Sequence, residues 1–471
     1  MDQLLLRKQD RLEKIFYFMI AFGLIGPTLG IGTGDFRLTF FRIAFFVLAV
    51  GTFIHLVWNR KYINHKQNRE LTTIYQVRWA GVFFCFWLLY AIISLTWAVS
   101  LKDGIRYLIY LGMMLALTFS FPFFIRTYES LWKTAKTLVA VYAMIIGYAV
   151  FESMTFIHLP ASRGYNSEFV SVVTSVFTNQ NDLATFITLA LPFLITAIFM
   201  LPLHKKYKWV LYVGCIFSLY TLFATGSRSN VMLALPLACA VLLLGAFFVV
   251  KREKWTKKNV TKAIIAVIAA VILANAVGVV LLSDKARAAN NAKLASIFGF
   301  LGDFQKGGWD AEGEGVIEGE TGRSATVRKF LIINGFHFLH KSHYLGVGPG
   351  NIEPLMEGAP HVDKKNMHNW WLEVLVNFGV LIFVLYMAVY FWLLWRLWKF
   401  ASLKHGAFTS PVIRWSAFAT LSSLIGFFFG GMAPSSCIHY TPMWITVGIG
   451  LAVVAMGELE RKKQVVAQGS E

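Results

Sequence analysis

The stretch NMHNWWLEVLVNFGVLIFVLYM, which runs from Asn366 to Met387, begins with polar residues and then becomes a continuous apolar run. Apolar runs of about 20 residues are typical of helices that cross a membrane. Such runs recur along the 471-residue chain, of which 57% is hydrophobic and 15% is charged. A soluble domain carries about 25% charged residues. The composition therefore predicts an all-α polytopic membrane protein.

These runs predict about twelve transmembrane helices. Their expected limits are 13–33, 38–58, 79–99, 105–125, 137–157, 181–202, 208–226, 230–250, 262–282, 370–395, 414–432 and 441–457. The chain then divides into nine helices over 1–282, a loop over 283–369, three helices over 370–457 and a tail over 458–471.

The basic residues predict the orientation of the chain. Lys and Arg concentrate in alternate connections such as NRKYINHKQNRE, KREKWTKK and WRLWKFASLKH, which predicts that these connections and both termini lie in the cytoplasm. The net charge of +19 follows from this bias and favours contact with anionic membrane lipid. It does not indicate nucleic-acid binding, because the charge is spread over several short loops. The four cysteines have no spacing typical of a disulfide or a zinc site.

The loop over 283–369 is a long hydrophilic connection, and the alternation of the helices predicts that it lies outside the cell. Its middle, GGWDAEGEGVIEGETGRS, is acidic and rich in glycine, which predicts a mobile segment. The flanking stretches DKARAANNAKLASIFGFL and SATVRKFLIINGFHFLHKS have the apolar spacing of helices. Long loops are usually functional or disordered, and we expect this one to be both.

Polar residues within the predicted helices cluster at the outer side of the membrane. Ionisable groups at membrane depth are costly and often mark a function. The cluster consists of Arg42, Arg106, Glu152, Asn179, Asn181, Asp182, Arg228 and Glu373. For Arg42 and Arg106 two explanations stay open: contact with lipid phosphate, or a role in the function of the protein. Arg228 lies in the turn FATGSRSNVML, where a guanidinium and backbone N–H groups at a helix N-terminus are suited to bind phosphate oxygens.

Two further motifs belong to the outer loop. GVGPGN, from Gly346 to Asn351, predicts a tight turn that brings the backbone close to a ligand or to another helix. The dinucleotide fingerprint requires a preceding strand, so a nucleotide cofactor is not expected. His337, His340 and His343 do not share one face of a helix, which favours interfacial packing over a metal site.

The polar residues of the opening stretch have helical spacing. In a helix that begins near residue 368, Asn369, Glu373 and Asn377 form a stripe that must face protein or a water-filled cavity. His368 lies at the first turn, where the positive end of the helix favours a neutral imidazole. Such an imidazole accepts a proton or a hydrogen bond from an attacking hydroxyl. The alternative is a histidine that caps an interfacial helix.

Taken together, several motifs resemble those of the O-antigen ligase and Wzy-type polysaccharide polymerase superfamily, in its Gram-positive branch that includes teichuronic acid biosynthesis proteins. They are TNQNDLATF (178–186), ATGSRSN (224–230), VRKFLIINGFHFL (327–339), GVGPGN (346–351) and HNWWLEVLVNFG (368–379). The family motif of His, then Asn, Ser or Gln, then nine residues and Gly is met by His368, Asn369 and Gly379.

The resemblance implies a glycosyltransferase of the GT-C type in the bacterial cytoplasmic membrane. Such an enzyme transfers or polymerises a glycan from an undecaprenyl pyrophosphate donor at the outer face, with no metal and no cofactor. Its other partners are a glycan, lipid or cell-wall acceptor, membrane lipid and other polysaccharide-assembly proteins. The chain shows no pair of carboxylates suited to a covalent intermediate, which favours inversion. Ligase and polymerase activity remain alternatives.

The resemblance also implies roles for individual residues. Arg228 and a second arginine hold the pyrophosphate, and His368 assists the acceptor, either by taking its proton or by orienting its hydroxyl. Arg328 occupies the place of the second arginine, with Arg323 as the alternative. We expect substrate binding by Asn369, Glu373, Gly346, Gly348, Asn351, Asn181 and Asp182. The alternative functions are a flippase or transporter for the lipid-linked glycan and a non-enzymatic assembly subunit.

Overall fold

The computed structural model describes residues 2–26, 30–31, 38–58, 72–165, 173–282, 284, 287–288, 320–360, 362, 364–404 and 409–468. Of residues 2–10, 31, 320–326 and 465–468 it describes the backbone alone. The predicted mobile segment and the first helical flank of the outer loop fall almost entirely outside the described residues.

The described chain is built from α-helices joined by short connections. In chain order these are α1 Asp2–Ile25, α2 Phe40–Trp58, α3 Thr73–Gln76, α4 Arg78–Ser94, α5 Leu101–Phe124, α6 Tyr128–Thr155, α7 Gln180–Met200, α8 Lys205–Thr225, α9 Leu235–Val249, α10 Lys257–Leu281, α11 Glu320–Lys341, α12 Ile352–Met356, α13 Trp370–Ala401, α14 Pro411–Gly430 and α15 Thr441–Gln468. A π-helical turn, Asn230–Ala234, leads into α9, and 3₁₀ turns lie at Leu95–Trp97 and Arg252–Lys254. Two short antiparallel strands, β1 Gly30–Ile31 and β2 Leu38–Thr39, pair between α1 and α2.

Eleven helices within the described residues are long and apolar enough to cross a membrane. They are α2, α4 with its 3₁₀ turn, α5 to α8, α9 with its π turn, α10, α13, α14 and α15. The remaining predicted span falls on α1, which ends at Ile25 instead of continuing to residue 33. Gly26 follows with φ +77°, a conformation that ends a helix. The predicted all-α polytopic architecture is confirmed.

Short polar residues determine where the helices begin. Ahead of α7, the Asn179 side chain accepts hydrogen bonds from the N–H groups of Asn181 and Asp182, at 2.9 and 3.1 Å. Ahead of α13, Asn369 accepts in the same way from Trp371, at 3.1 Å. Side chains of this type satisfy N–H groups that lack partners within the helix. The helix predicted to begin near residue 368 therefore begins at Trp370, and His368 lies outside it.

The centre of the bundle is formed by α5, α7, α14 and α15, while α2, α9 and α10 lie at its edge. Trp87, Trp370 and Trp444 pack together in the core, with ring centroids of the last two 5.6 Å apart. On the edge helices, apolar side chains such as Phe46 and Phe247 are exposed, as expected for a surface in contact with lipid.

The alternating helix directions bring the polar connections to one end of the bundle, which we call the site end. The site end comprises the C-terminal ends of α4, α6, α8 and α14 and the N-terminal ends of α5, α7, α13 and α15. A bond of 2.9 Å from the Tyr440 hydroxyl to the Asp182 carbonyl joins two of these connections. Helices α11 and α12 lie over the site end, where Val327 and Leu331 of α11 pack with Val376 of α13.

Candidate functional site

The turn that carries Arg228 is held by a polar network between α7 and α8. Gly226, with φ +64°, ends α8, and Ser227 then donates to the Asn181 side chain at 2.9 Å. Asn230 donates to Ser227 at 3.1 Å and to Thr185 at 3.0 Å. The network fixes the residues on both sides of Arg228, whose own side chain is half-buried at the site end.

Arg328 lies close to Arg228, although the two residues come from different parts of the chain. Burial and then the charge of Arg228 lower the pKa of Arg328. Within the described part of the chain, Arg328 has no hydrogen bond and no ion pair that would offset its charge. Two neighbouring guanidinium groups repel each other, so this region of the protein favours a bound anion.

His368 lies near Arg328, the second arginine of this pair. Burial and then the charges of Lys364, Arg328 and Arg163 lower its pKa to about 4, against the opposing effect of a hydrogen bond with the backbone of Ala433. The imidazole is therefore neutral near pH 7. Its Nδ1 atom is buried and has no hydrogen-bond partner among the described residues. A neutral ring with an uncommitted nitrogen has the chemistry of a hydrogen-bond acceptor or a general base.

The backbone of His368 adopts an unusual conformation. Its φ of +48° lies in the left-handed region, and its N–H donates to the Ser435 carbonyl at 3.3 Å. Two residues further, the Trp370 N–H donates to the Gly431 carbonyl at 2.9 Å. The connection between α14 and α15 thus holds the chain in place just before α13 begins.

Two further basic residues of the site, Arg163 and Lys364, belong to no motif that predicts them from the sequence. Both are exposed at the site end, and both charges act on His368. Arg163 lies in the connection after α6, in the stretch ASRGY, which has no helical periodicity and no recognisable motif. The signal that identifies it is a contact distant in sequence, because its N–H donates to the Thr178 carbonyl, directly ahead of α7, at 2.9 Å.

The predicted polar stripe of α13 faces protein. Glu373 is buried and accepts hydrogen bonds from Tyr107 at 2.9 Å, from the Ser436 hydroxyl at 2.6 Å and from the Cys437 N–H at 3.2 Å. Asn377 is buried beside it and donates to the Glu373 carbonyl at 3.0 Å. These contacts hold the α14–α15 connection, which also carries the backbone partners of His368.

The glycine turn GVGPGN approaches a helix. Gly379 has φ +77° within α13, and a Cβ atom there would lie 2.4 Å from the Leu345 carbonyl carbon. A Cβ on Gly346 would in turn lie 2.4 Å from the Gly379 nitrogen. The N–H of Val347 donates to the Val376 carbonyl at 2.9 Å, where α13 is interrupted. The sequence predicted that this turn approaches either a ligand or another helix. Within the described residues, its contacts are with a helix.

The remaining predicted binding residues also have internal partners. Asn351 is fully buried and accepts from the Ser100 N–H at 2.6 Å, and Gly348 packs against the backbone of Ser94. Asp182 accepts from the Asn179 amide at 2.8 Å. Their predicted contacts with substrate, like those of Asn369, Glu373, Gly346 and Asn181, stay predictions. The side chain of Arg323 lies outside the described residues.

The two other arginines of the predicted polar cluster, Arg42 and Arg106, lie near a different histidine, His439. The Arg42 guanidinium donates to the Tyr110 hydroxyl, and the His439 ring packs edge-on against Tyr110 with centroids 4.1 Å apart. Desolvation by the surrounding protein and then the charges of Arg106 and Arg42 lower the pKa of His439 to about 4.

No group of three or more His, Cys, Asp or Glu side chains within the described ranges is placed to hold a metal ion. Of the three histidines considered above, His340 contacts the Tyr344 hydroxyl at 3.2 Å.

Comparison with known proteins identifies the family that the chain resembles. Residues 213–387, which include Arg228, Arg328 and His368, match the O-antigen ligase family. The chain is also 26% identical, over 468 residues, to the teichuronic acid biosynthesis protein TuaE of Bacillus subtilis (strain 168). That similarity covers 97% of this chain and 86% of TuaE. The resemblance predicted from the sequence, to the O-antigen ligase and polysaccharide polymerase superfamily and to teichuronic acid biosynthesis proteins, is therefore confirmed.

Proposed function

We propose that this multi-pass membrane protein acts in polysaccharide biosynthesis as an inverting glycosyltransferase. It transfers or polymerises a glycan from an undecaprenyl pyrophosphate donor on the outer face of the bacterial cytoplasmic membrane. The family match and the similarity to TuaE support a role in polysaccharide biosynthesis, and the apolar helices support the membrane location. The proposed donor, reaction and sidedness rest on the arrangement at the site end.

The observation that carries the proposal is the grouping of Arg228, Arg328 and His368. Two guanidinium groups lie close together, and Arg328 has no ion pair within the described residues. The neutral imidazole of His368 lies near Arg328. A pyrophosphate supplies the negative charge that the arginines attract, and arginine binds phosphate oxygens in a bidentate geometry.

An apolar cavity supports a donor with a lipid tail. It has a volume of about 890 Å³ and lies between α6, α7, α8 and α15, where it extends from Phe186 and Pro442, near the site end, to Glu129 and Tyr207 at the opposite end of the bundle. Its lining is almost entirely apolar and includes Tyr142, Phe186, Leu194, Leu211 and Ile445. We propose that part of the polyprenyl chain occupies this cavity while its pyrophosphate reaches the arginines.

The proposed reaction is a direct displacement. The acceptor hydroxyl attacks the anomeric carbon while the bond from that carbon to the pyrophosphate oxygen breaks. The bonding electrons leave with the pyrophosphate, and Arg228 and Arg328 stabilise the charge that develops on it. His368 accepts the hydroxyl proton or orients that hydroxyl, and the configuration at the anomeric carbon inverts. No metal or nucleotide takes part in the proposed step.

The basic connections support the proposed sidedness. Three basic residues lie between α9 and α10 and two more in the first turn of α10, at the opposite end of the bundle from His368: Lys251, Arg252, Lys254, Lys257 and Lys258. Such connections usually remain in the cytoplasm, so the site end would face outwards.

The test is a transfer assay with the purified protein in detergent, a glycan on polyprenyl pyrophosphate and an acceptor glycan. We expect release of polyprenyl pyrophosphate and a lengthened or transferred glycan, with the same rate in the presence of a metal chelator. Arg228→Gln and Arg328→Gln should each lower the rate about 100-fold or more. A flippase or an assembly subunit would release no polyprenyl pyrophosphate, and dependence on a metal would refute the proposed mechanism.

A further inference from the structure

A buried carboxylate organises the connection that follows α6. Glu152 is 1% exposed and accepts hydrogen bonds from the N–H groups of Thr174 and Ser175, at 2.8 and 2.6 Å. It also accepts from the Thr174 hydroxyl at 2.9 Å, and the His158 Nδ1 atom lies 2.7 Å away. Burying an ionisable group is costly unless its hydrogen-bonding capacity is used. Here both carboxylate oxygens are used, so Glu152 holds the two ends of this connection together.

The same contacts extend to Arg163. The hydroxyls of Ser162 and Thr174 lie 2.7 Å apart, which connects the residue ahead of Arg163 to the group held by Glu152. The Gly164 N–H donates to the Ser162 hydroxyl at 3.0 Å. The backbone on both sides of Arg163 is therefore fixed, although the Arg163 side chain itself is exposed.

A chain of direct contacts joins Arg163 to the turn that carries Arg228. The Arg163 N–H donates to the carbonyl of Thr178, which immediately precedes the Asn179 cap of α7. Two residues further, Asn181 binds Ser227, the neighbour of Arg228. These contacts place Arg163 close in the structure to the turn that carries Arg228, and the charges of both Arg163 and Arg328 act on His368.

The charge of Arg163 is not offset by contacts of the kind that a structural arginine forms. Within the described ranges, its side chain has neither a hydrogen bond nor an ion pair, although its charge acts on Asp182 and on His368. Arg163 adds to the positive charge that Lys364 and Arg328 already place around His368 in the unliganded protein. A bound polyanion offsets that charge.

We propose that Arg163 is a third phosphate-contacting residue of this site, and that Glu152 is the positioning residue that holds its loop. The inference rests on the proposed function and extends it to a residue outside the region that matches the O-antigen ligase family, 213–387. The ligand group is the pyrophosphate of the lipid-linked donor, and a carboxylate on the glycan is the alternative source of anionic oxygens.

The test measures equilibrium binding of bare polyprenyl pyrophosphate, without a glycan, to the purified protein. Arg163→Gln should weaken binding about 10- to 100-fold, the range expected for the loss of a charge-assisted hydrogen bond. Arg163→Lys should recover part of the affinity. Arg252→Gln, which removes an exposed charge at the other end of the bundle, is the matched control and should bind as the wild type does.

The role of Glu152 is tested by a double-mutant cycle. Glu152→Ala should weaken binding in the wild-type background but have little further effect when combined with Arg163→Gln, since it acts through that residue. Glu152→Gln keeps an oxygen for the two N–H groups and should bind nearly as the wild type does. If Glu152→Ala does not fold, Thr174→Val, which removes the hydroxyl that contacts Glu152 and Ser162, takes its place in the cycle. Additive losses would refute the positioning role.

The outcomes separate this inference from the proposed function. If Arg328→Gln loses binding while Arg163→Gln binds as the wild type does, the proposed function stands and the role of Arg163 is wrong. If Arg163→Gln weakens binding of the glycan-bearing donor but not of bare polyprenyl pyrophosphate, Arg163 contacts the glycan and the phosphate assignment is wrong. If the wild type binds no polyprenyl pyrophosphate, the proposed function itself fails.

Discussion

His368 combines an unusual backbone conformation with a neutral side chain, and the two features have separable effects. A φ of +48° is costly for most residues but is well tolerated by asparagine. His368→Asn should therefore keep the backbone bonds to Ser435 while removing the group that accepts a proton. We expect the transfer rate to fall about 100-fold or more in the assay described above, with an unchanged unfolding temperature. Wild-type transfer by this variant would exclude a catalytic imidazole.

The pH dependence of transfer gives a second test of His368. Burial and neighbouring cations lower its pKa to about 4 in the unliganded protein, and the imidazole is active only above its pKa, when it is neutral. A bound pyrophosphate adds negative charge and raises that pKa. The acidic limb should therefore lie at higher pH in the profile of kcat, which reports the complex, than in that of kcat/KM. The opposite order, or an acidic limb that persists unchanged in His368→Asn, would contradict this assignment.

The residues of the site differ in how far the sequence reveals them. Arg228 and His368 were predictable, because each interrupts an apolar pattern at a helix end. Arg163 was not, because a single arginine in an irregular connection has no pattern of its own and acquires its meaning from the distant contact with Thr178. Glu373 was recognised as polar within a helix, but its bonds to Tyr107 and Ser436 depend on tertiary packing that the sequence does not display.

At the scale of elements, the interrupted helix α13 explains the glycine of the His–Asn–Gly motif. Gly379 adopts φ +77°, and the turn that begins at Tyr344 packs directly against its backbone. The Val380 N–H consequently donates to the Tyr344 carbonyl at 3.0 Å instead of to its own helix. The motif therefore links two features of α13. His368 lies just ahead of the helix, and Gly379 lies where the turn that follows α11 packs against it.

Gly379→Ala tests this explanation. The added Cβ would meet the Leu345 backbone at 2.4 Å in a conformation unfavourable to alanine. We expect destabilisation of about 2 kcal/mol or more, measured as a lower unfolding temperature in detergent. Gly147→Ala is the control, because a Cβ atom at this helical position meets nothing within 4 Å. Equal unfolding temperatures for both variants would show that the contact with the turn is unimportant.

The helices themselves were largely predictable from apolar runs and capping residues. The prediction for residues 181–202 corresponds to α7, Gln180–Met200, which Asn179 caps. The departures are at helix ends: α6 begins at Tyr128 instead of residue 137, α15 continues to Gln468 instead of ending at 457, and α1 ends at Ile25 although the apolar run continues beyond Gly26. An apolar pattern alone does not reveal that such a glycine has turned to positive φ.

At the scale of the whole molecule, the distribution of charge predicts which end of the bundle faces outwards. Single cysteines at Lys364, at the site end, and at Arg252, at the opposite end, test it, since both side chains are exposed. In intact cells, a membrane-impermeant maleimide should label Lys364→Cys but label Arg252→Cys only after the membrane is opened. Exposed Cys85 is first replaced by alanine. Labelling in the reverse order would place the site on the cytoplasmic side and exclude the proposed donor.

The most direct measurement is the affinity of the purified protein for polyprenyl pyrophosphate, compared between Arg328→Gln and His368→Asn. If the arginines hold the pyrophosphate while the imidazole serves the acceptor, Arg328→Gln should lose binding about 10- to 100-fold, and His368→Asn should bind as the wild type does without transferring glycan. Undiminished binding by Arg328→Gln would contradict the proposed site.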